Sequence, residues 1–139
     1  MSEHIVRFGM SLPGNLMERF DTHIEAKGYG NRSEAIRDLI RRELVDEEIE
    51  SDETVLGVLH ILYDHSKREL TEKLTETQHA HHHHIISSMH VHLDHLNCLE
   101  VILIRGIPKT IRKISERLLA EKGVKHGKLY LTSDGKDLD

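Results

Sequence analysis

Apolar residues recur along this chain with two different periods, and the switches between them mark the elements. Ile5 to Leu12 alternates, with Val6, Phe8, Met10 and Leu12 on one face and Arg7, Gly9 and Ser11 on the other, the pattern of a half-buried strand. Pro13 suits a first helical position, and Leu12, Leu16, Phe20 and Ile24 then recur at every fourth residue until Gly28 stops the helix. Asn31, followed by Glu34, makes a capping box for a second helix bearing Ile36, Leu39, Ile40 and Leu44. This part of the chain reads strand, helix, helix.

From Val55 the pattern changes. Val55 to Tyr63 is apolar on both faces, as a central sheet strand is. Ser66 and Glu69 form a second capping box, ahead of a helix carrying Leu70 and Leu74. A strand through His90-Val91-His92, a turn over 93–97 and a returning strand from Leu99 to Ile104 make a hairpin. Pro108 opens a helix with Ile111, Ile114 and Leu118 that ends at Gly123, and Val124 to Leu131 is the last strand. The order β-α-β-β-α-β predicts a ferredoxin-like sheet with helices on one face, and makes the whole chain α+β.

With 139 residues, 37% of them hydrophobic and two of them proline, the chain can bury a core in one domain or two small ones. A net charge of −5 by itself argues against a nucleic-acid partner. Its distribution reverses that reading, because residues 43–53 carry seven acids and no base while the flanking parts are each slightly basic. The acidic run reads as a fraying helix end and linker, dividing the chain into residues 1–50, a linker at 51–53 and residues 54–139. No apolar run nears the roughly 20 residues of a membrane span, and the N-terminus has no apolar signal region. One cysteine allows no intrachain disulfide, so a soluble, cytoplasmic protein without a membrane partner is expected.

The residues with the most chemistry are His79, His90, His92 and Cys98. Alternate side chains of a strand share a face at about 3.3 Å rise per residue, so His90 and His92 present neighbouring imidazoles and Cys98 faces them across the hairpin. Imidazole with thiolate favours Zn, Cu or Ni over Mg or Ca. The competing reading is an ordinary surface or core pair of histidines. Three ligands per hairpin also leave a tetracoordinate ion one short.

A lone strand followed by two helices leaves both strand edges unpaired, which a second copy would remedy. The segment from Gly28 to Asp38, Gly-Tyr-Gly-Asn-Arg-Ser-Glu-Ala-Ile-Arg-Asp, resembles the ribbon-helix-helix repressors, whose paired strands enter the major groove of double-stranded operator DNA. The resemblance places Arg7, Gly9 and Ser11 at base-reading positions, and Arg32 and Ser33 at the phosphate-holding start of the second helix. Arg can grip guanine through two hydrogen bonds, and a helix N-terminus attracts anions. Gly9 departs from the family pattern, in which a side chain usually stands at the reading positions.

A ribbon-helix-helix segment joined to a ferredoxin-like, ACT-like domain bearing Gln78-His79, His90-Val91-His92 and Cys98-Leu99-Glu100 resembles, over nearly the whole chain, the NikR family of nickel-responsive transcriptional regulators. The resemblance implies one square-planar Ni(II) per subunit in a homotetramer built as a dimer of dimers. His90, His92 and Cys98 of one chain and His79 of the next would be its ligands. Gln78 and Glu100 would sit behind them, Glu100 fixing an imidazole tautomer by hydrogen bonding. Glu34 and Asp38 match acidic residues that hold a secondary cation in that family, an exposed acidic pair being the plain alternative. His81 to His84 are expected to be solvent-exposed polar residues.

The implied function is a nickel-sensing DNA-binding regulator that represses nickel-uptake genes when Ni(II) is bound. A nickel storage or delivery protein is the alternative. An enzyme is not expected, since four protein ligands in a plane leave no open in-plane position, and no small-molecule substrate is implied.

Overall fold

A computed structural model describes residues 4–139, which divide into two compact units, one reaching to Arg42 and one from Glu43 to Asp139. In the first, α1 (Gly14–Ala26) begins one residue later than the proline pattern predicts. Pro13 lies just outside the helix, and its carbonyl accepts from the N–H groups of Leu16 and Met17 at 3.1 Å. Gly28, at φ +85°, turns the chain out of α1, while Gly28 N–H donates to the Glu25 carbonyl and Tyr29 N–H to that of Ile24. The helix α2 (Arg32–Ile49) starts where expected, with Glu34 N–H donating to Asn31 Oδ1 at 2.9 Å.

The strand predicted over residues 5–12 is absent from the single chain. Residues 4–12 lie outside any sheet, and Val6 and Phe8 are each 71% exposed. The cause is the one its pattern foreshadows: a strand exists only against a neighbour that takes up its N–H and C=O groups, and this unit supplies none. Ile24 and Ala35 are its buried apolar residues, leaving Leu16, Leu39 and Ile40 about half exposed.

The second unit follows the predicted order: β1 (Val55–Asp64), α3 (Arg68–Ala80), β2 (Ile85–His92), β3 (Asn97–Gly106), α4 (Pro108–Leu119) and β4 (Val124–Thr132). The sheet runs β2-β3-β1-β4 with antiparallel neighbours, so the doubly apolar β1 is central. Val55, Leu59, Ile61 and Tyr63 of β1 and Ile102 and Ile104 of β3 pack beneath Leu70 and Leu74 of α3 and Ile111, Ile114 and Leu118 of α4. Each such buried aliphatic side chain contributes about 1.5–3 kcal/mol. Gly57 lets α4 approach, since a Cβ there would stand 2.6 Å from Ile111 Cγ2.

The Ser66–Glu69 capping box does not form. Asp64 at the end of β1 takes both the Ser66 N–H (2.9 Å) and the Ser66 hydroxyl (2.6 Å), and α3 opens after Lys67 with no side-chain cap. A carboxylate two residues ahead competes successfully for that serine. The other face of the sheet carries Val58, Leu62, Leu99 and Val101, partly exposed, with Met89, Val91 and Leu103 exposed. Among the described residues, no helix is long and apolar enough to cross a membrane.

Candidate metal centre

The β2–β3 hairpin is closed by one carboxylate. Asp94 accepts from the N–H groups of Leu96 (2.9 Å) and Asn97 (2.8 Å) and from Asn97 Nδ2 (2.9 Å). Those bonds, the side chain of Asn97 first, hold its pKa down to about 2. The turn sets the register, pairing His92 with Cys98 and His90 with Glu100. Cys98 and Glu100 belong to the buried, helix-covered face of β3, so His90 and His92 lie on that face too, at the exposed edge strand. Three donors of the predicted set thus share one face, two imidazoles at the rim and a buried thiol opposite.

Behind them is a polar cluster. Glu100, 1% exposed, accepts from Gln78 Nε2 at 2.9 Å and from the Tyr63 hydroxyl at 3.3 Å, and its Oε1 is 3.1 Å from His90 Nε2. His90 Nδ1 lies 3.4 Å from the Tyr63 hydroxyl. With His90 neutral, donation from Nε2 to the carboxylate leaves Nδ1 with the lone pair a metal needs. Burial, then the Glu100 charge and Cys98, hold the Tyr63 phenol above its ordinary range, so it remains a proton donor. Tyr63 is the residue that sequence reasoning missed; the available signal was its place on the inward face of β1, where it pairs with Cys98. His65 packs edge-on against His92, with ring centroids 4.6 Å apart.

His79 lies on a different element from the other three, exposed near the end of α3 and next to Gln78. Among the described residues no three His, Cys, Asp or Glu side chains are gathered closely enough to hold a metal within one chain. The donor chemistry fits a borderline cation such as nickel; a completed shell needs a further ligand and adjustment of His90.

The DNA-facing candidates all fall in the first unit. Arg7, Gly9 and Ser11 are exposed on the unpaired N-terminal segment, with nothing within 4 Å of where a Cβ on Gly9 would lie. Arg32 and Ser33 begin α2, but Arg32 is committed to Asp21 by two parallel hydrogen bonds of 2.8 Å. Those bonds hold the Asp21 carboxyl below its usual range. Glu34 and Asp38 line a surface cavity of about 310 Å³ with Tyr29, Arg37 and Arg41. Asp38 there already accepts from the Tyr29 hydroxyl at 2.6 Å and from Arg41 at 3.4 Å.

Residues 56–132 match the family described as the NikR C terminal nickel binding domain, and residues 6–47 match the ribbon-helix-helix protein, copG family. A protein of Pelobacter propionicus named as a nickel-responsive regulator is 53% identical over 134 residues, covering 96% of each chain. The chain belongs to the NikR family of nickel-responsive regulators. Proteins of the same name from Geobacter sulfurreducens (54% over 134 residues, 96% of each chain) and Pyrococcus furiosus (52% over 135 residues, 96% of this chain and 98% of that one) agree. NikR is a family of regulators and not of enzymes, and its second domain binds nickel. The fold also resembles that of an uncharacterized protein of Thermotoga maritima, at TM-score 0.50 and 16% identity over 57% of this chain and 98% of that one.

Proposed function

We propose that this NikR-family chain is a nickel-gated repressor of nickel-uptake genes, acting as a homotetramer with one Ni(II) per subunit. The observation that carries the reading is the shared face of His90 and His92 on the edge strand and Cys98 on the strand beside it, where the buried Glu100 orients the His90 ring. His79 of the partner subunit would complete the shell, consistent with its exposure and with the lack, among the described residues, of three such donors gathered within one chain. Three imidazoles and a thiolate in a plane suit Ni(II) or Cu(II), and bound metal would supply a bridge between two chains.

The bare N-terminal segment supports pairing with a second copy through Val6, Phe8 and Met10, which turns Arg7 and Ser11 toward the major groove. The apolar, helix-free sheet face offers the further contact a tetramer needs. Arg32 would exchange part of its bond to Asp21 for a phosphate, and Ser33 would add its amide at the helix start. Gating requires that the metal-bound and metal-free conformers differ in DNA affinity.

The test is retention of the organism's own promoter fragments by purified protein, metal-free and with one nickel per chain, at fixed salt. Nickel-dependent retention of one fragment is expected. Equal retention in both states would remove the gating, and no retention would favour storage or delivery of nickel.

A further inference from the structure

The histidines between α3 and β2 take no part in the centre above, yet they are not a loose polar tract. Their backbone is tied down: His82 N–H donates to the His79 carbonyl at 3.3 Å, and the N–H groups of His84 and Ile85 both donate to the His81 carbonyl. His82 Nδ1 is 3.1 Å from the His79 carbonyl oxygen, and His84 Nδ1 is 3.0 Å from that of Arg105. A carbonyl only accepts, so in both rings Nδ1 carries the proton and a neutral ring keeps its lone pair on Nε2. Backbone carbonyls fix metal-ligating imidazoles in this same way.

The rings of His82 and His83 lie with centroids 3.9 Å apart and planes inclined by 39°. Two imidazoles bound cis to one ion at ordinary metal–nitrogen lengths have centroids about 4.5 Å apart, so small ring rotations bring this pair to that spacing. Both residues are exposed, so water has access to the remaining coordination positions.

We propose that His82 and His83 form a second, weaker site for a divalent transition-metal ion, held by imidazole alone and completed by water. With two protein ligands and no thiolate, it takes Ni(II), Cu(II) or Zn(II) and rejects Mg(II) and Ca(II). The site does not depend on Cys98, His90 or His92. It lies in the turn just after His79, so its occupancy stiffens the segment that carries that residue.

Equilibrium dialysis of the full chain against nickel chloride, with the near-ultraviolet thiolate-to-nickel absorption followed in parallel, tests this. Wild type is expected to show a weaker class of nickel after the thiolate band has saturated, and Cys98→Ala is expected to keep that class while losing the band. The double variant His82→Asn/His83→Asn is expected to lose the weaker class and keep the band. Asparagine at residue 82 can still donate to the His79 carbonyl, and an unchanged thermal midpoint shows that the turn is intact. A weaker class that persists in the double variant, or that wild type lacks, overturns the proposal. An absent thiolate band would instead count against the Cys98 centre alone.

Discussion

Gln78 donates its side-chain amide to Glu100 Oε1 at 2.9 Å, and the same oxygen lies 3.1 Å from His90 Nε2. One buried carboxylate therefore joins the end of α3, where His79 follows, to the edge strand carrying His90. Removing it by Glu100→Ala leaves Gln78, Tyr63 and His90 without their shared partner. The expected cost is about 1–3 kcal/mol for the buried Tyr63 hydroxyl left unpaired, together with a loss of nickel affinity of about 10–100-fold. Urea unfolding of the metal-free protein and competition against a chelator measure the two effects. Lost stability with unchanged nickel affinity would reduce Glu100 to a structural role.

Cys98→Ala and His79→Ala are each expected to abolish tight nickel binding, a larger effect than the roughly 10–100-fold cost of an outer partner. Because the proposed shell draws on two chains, the two defective proteins should complement each other. In a mixed pair, one site receives an intact Cys98 from one chain and an intact His79 from the other. Tight nickel binding by co-expressed mixtures, and by neither protein alone, is the expected result. Its absence would place all ligands of a site within one chain.

Arg7→Ala should leave nickel stoichiometry and affinity unchanged and weaken operator binding by about 1–3 kcal/mol, the worth of one bidentate base contact. Gel retardation beside nickel dialysis separates the two. Undiminished DNA affinity would remove Arg7 from the reading face.

The Arg32 guanidinium hydrogen-bonds to Asp21 and depresses its carboxyl below the ordinary value. A depressed carboxyl contributes stability that is fully present above its unfolded pKa, about 3.9, and is lost as pH falls through the lower folded value. Wild type should therefore lose its advantage over Asp21→Asn across that acid window and keep it at neutral pH. Thermal midpoints of the two proteins measured side by side check the sign; a constant difference down to the lowest pH would exclude the coupling.

A methyl group on Gly127 would run into the Leu119 side chain and the His60 carbonyl. Backbone cannot yield as a side-chain end can, so Gly127→Ala should destabilise the second unit by about 1–3 kcal/mol. Chemical denaturation measures it, and an unchanged midpoint would mean that β4 shifts its register freely.

The second unit was legible because its rules are local. An apolar run on both faces marks β1 as central, Pro108 and Gly123 bracket α4, and strict alternation puts His90 and His92 on one face. Misreadings came where another group competes. Ser66 is a good helix cap by type, but Asp64 reaches it first. Tyr63 lies within an apolar run and reads as plain core, because its hydroxyl contacts Glu100 and His90, 37 and 27 residues away. The alternation at residues 5–12 is visible in the sequence, but a strand needs a neighbour to bond, and the single chain supplies none there.

His90 and His92 of the candidate shell stand on the outermost strand of the sheet, while Cys98 stands one strand further in. An outermost strand hydrogen-bonds along one side only and opens more readily than the sheet interior. Backbone amides of residues 85–92 should therefore exchange with solvent faster than those of β1. A sensing element placed there has a wide range of order left to gain, whereas ligands set on β1 would have started rigid and had almost nothing to report.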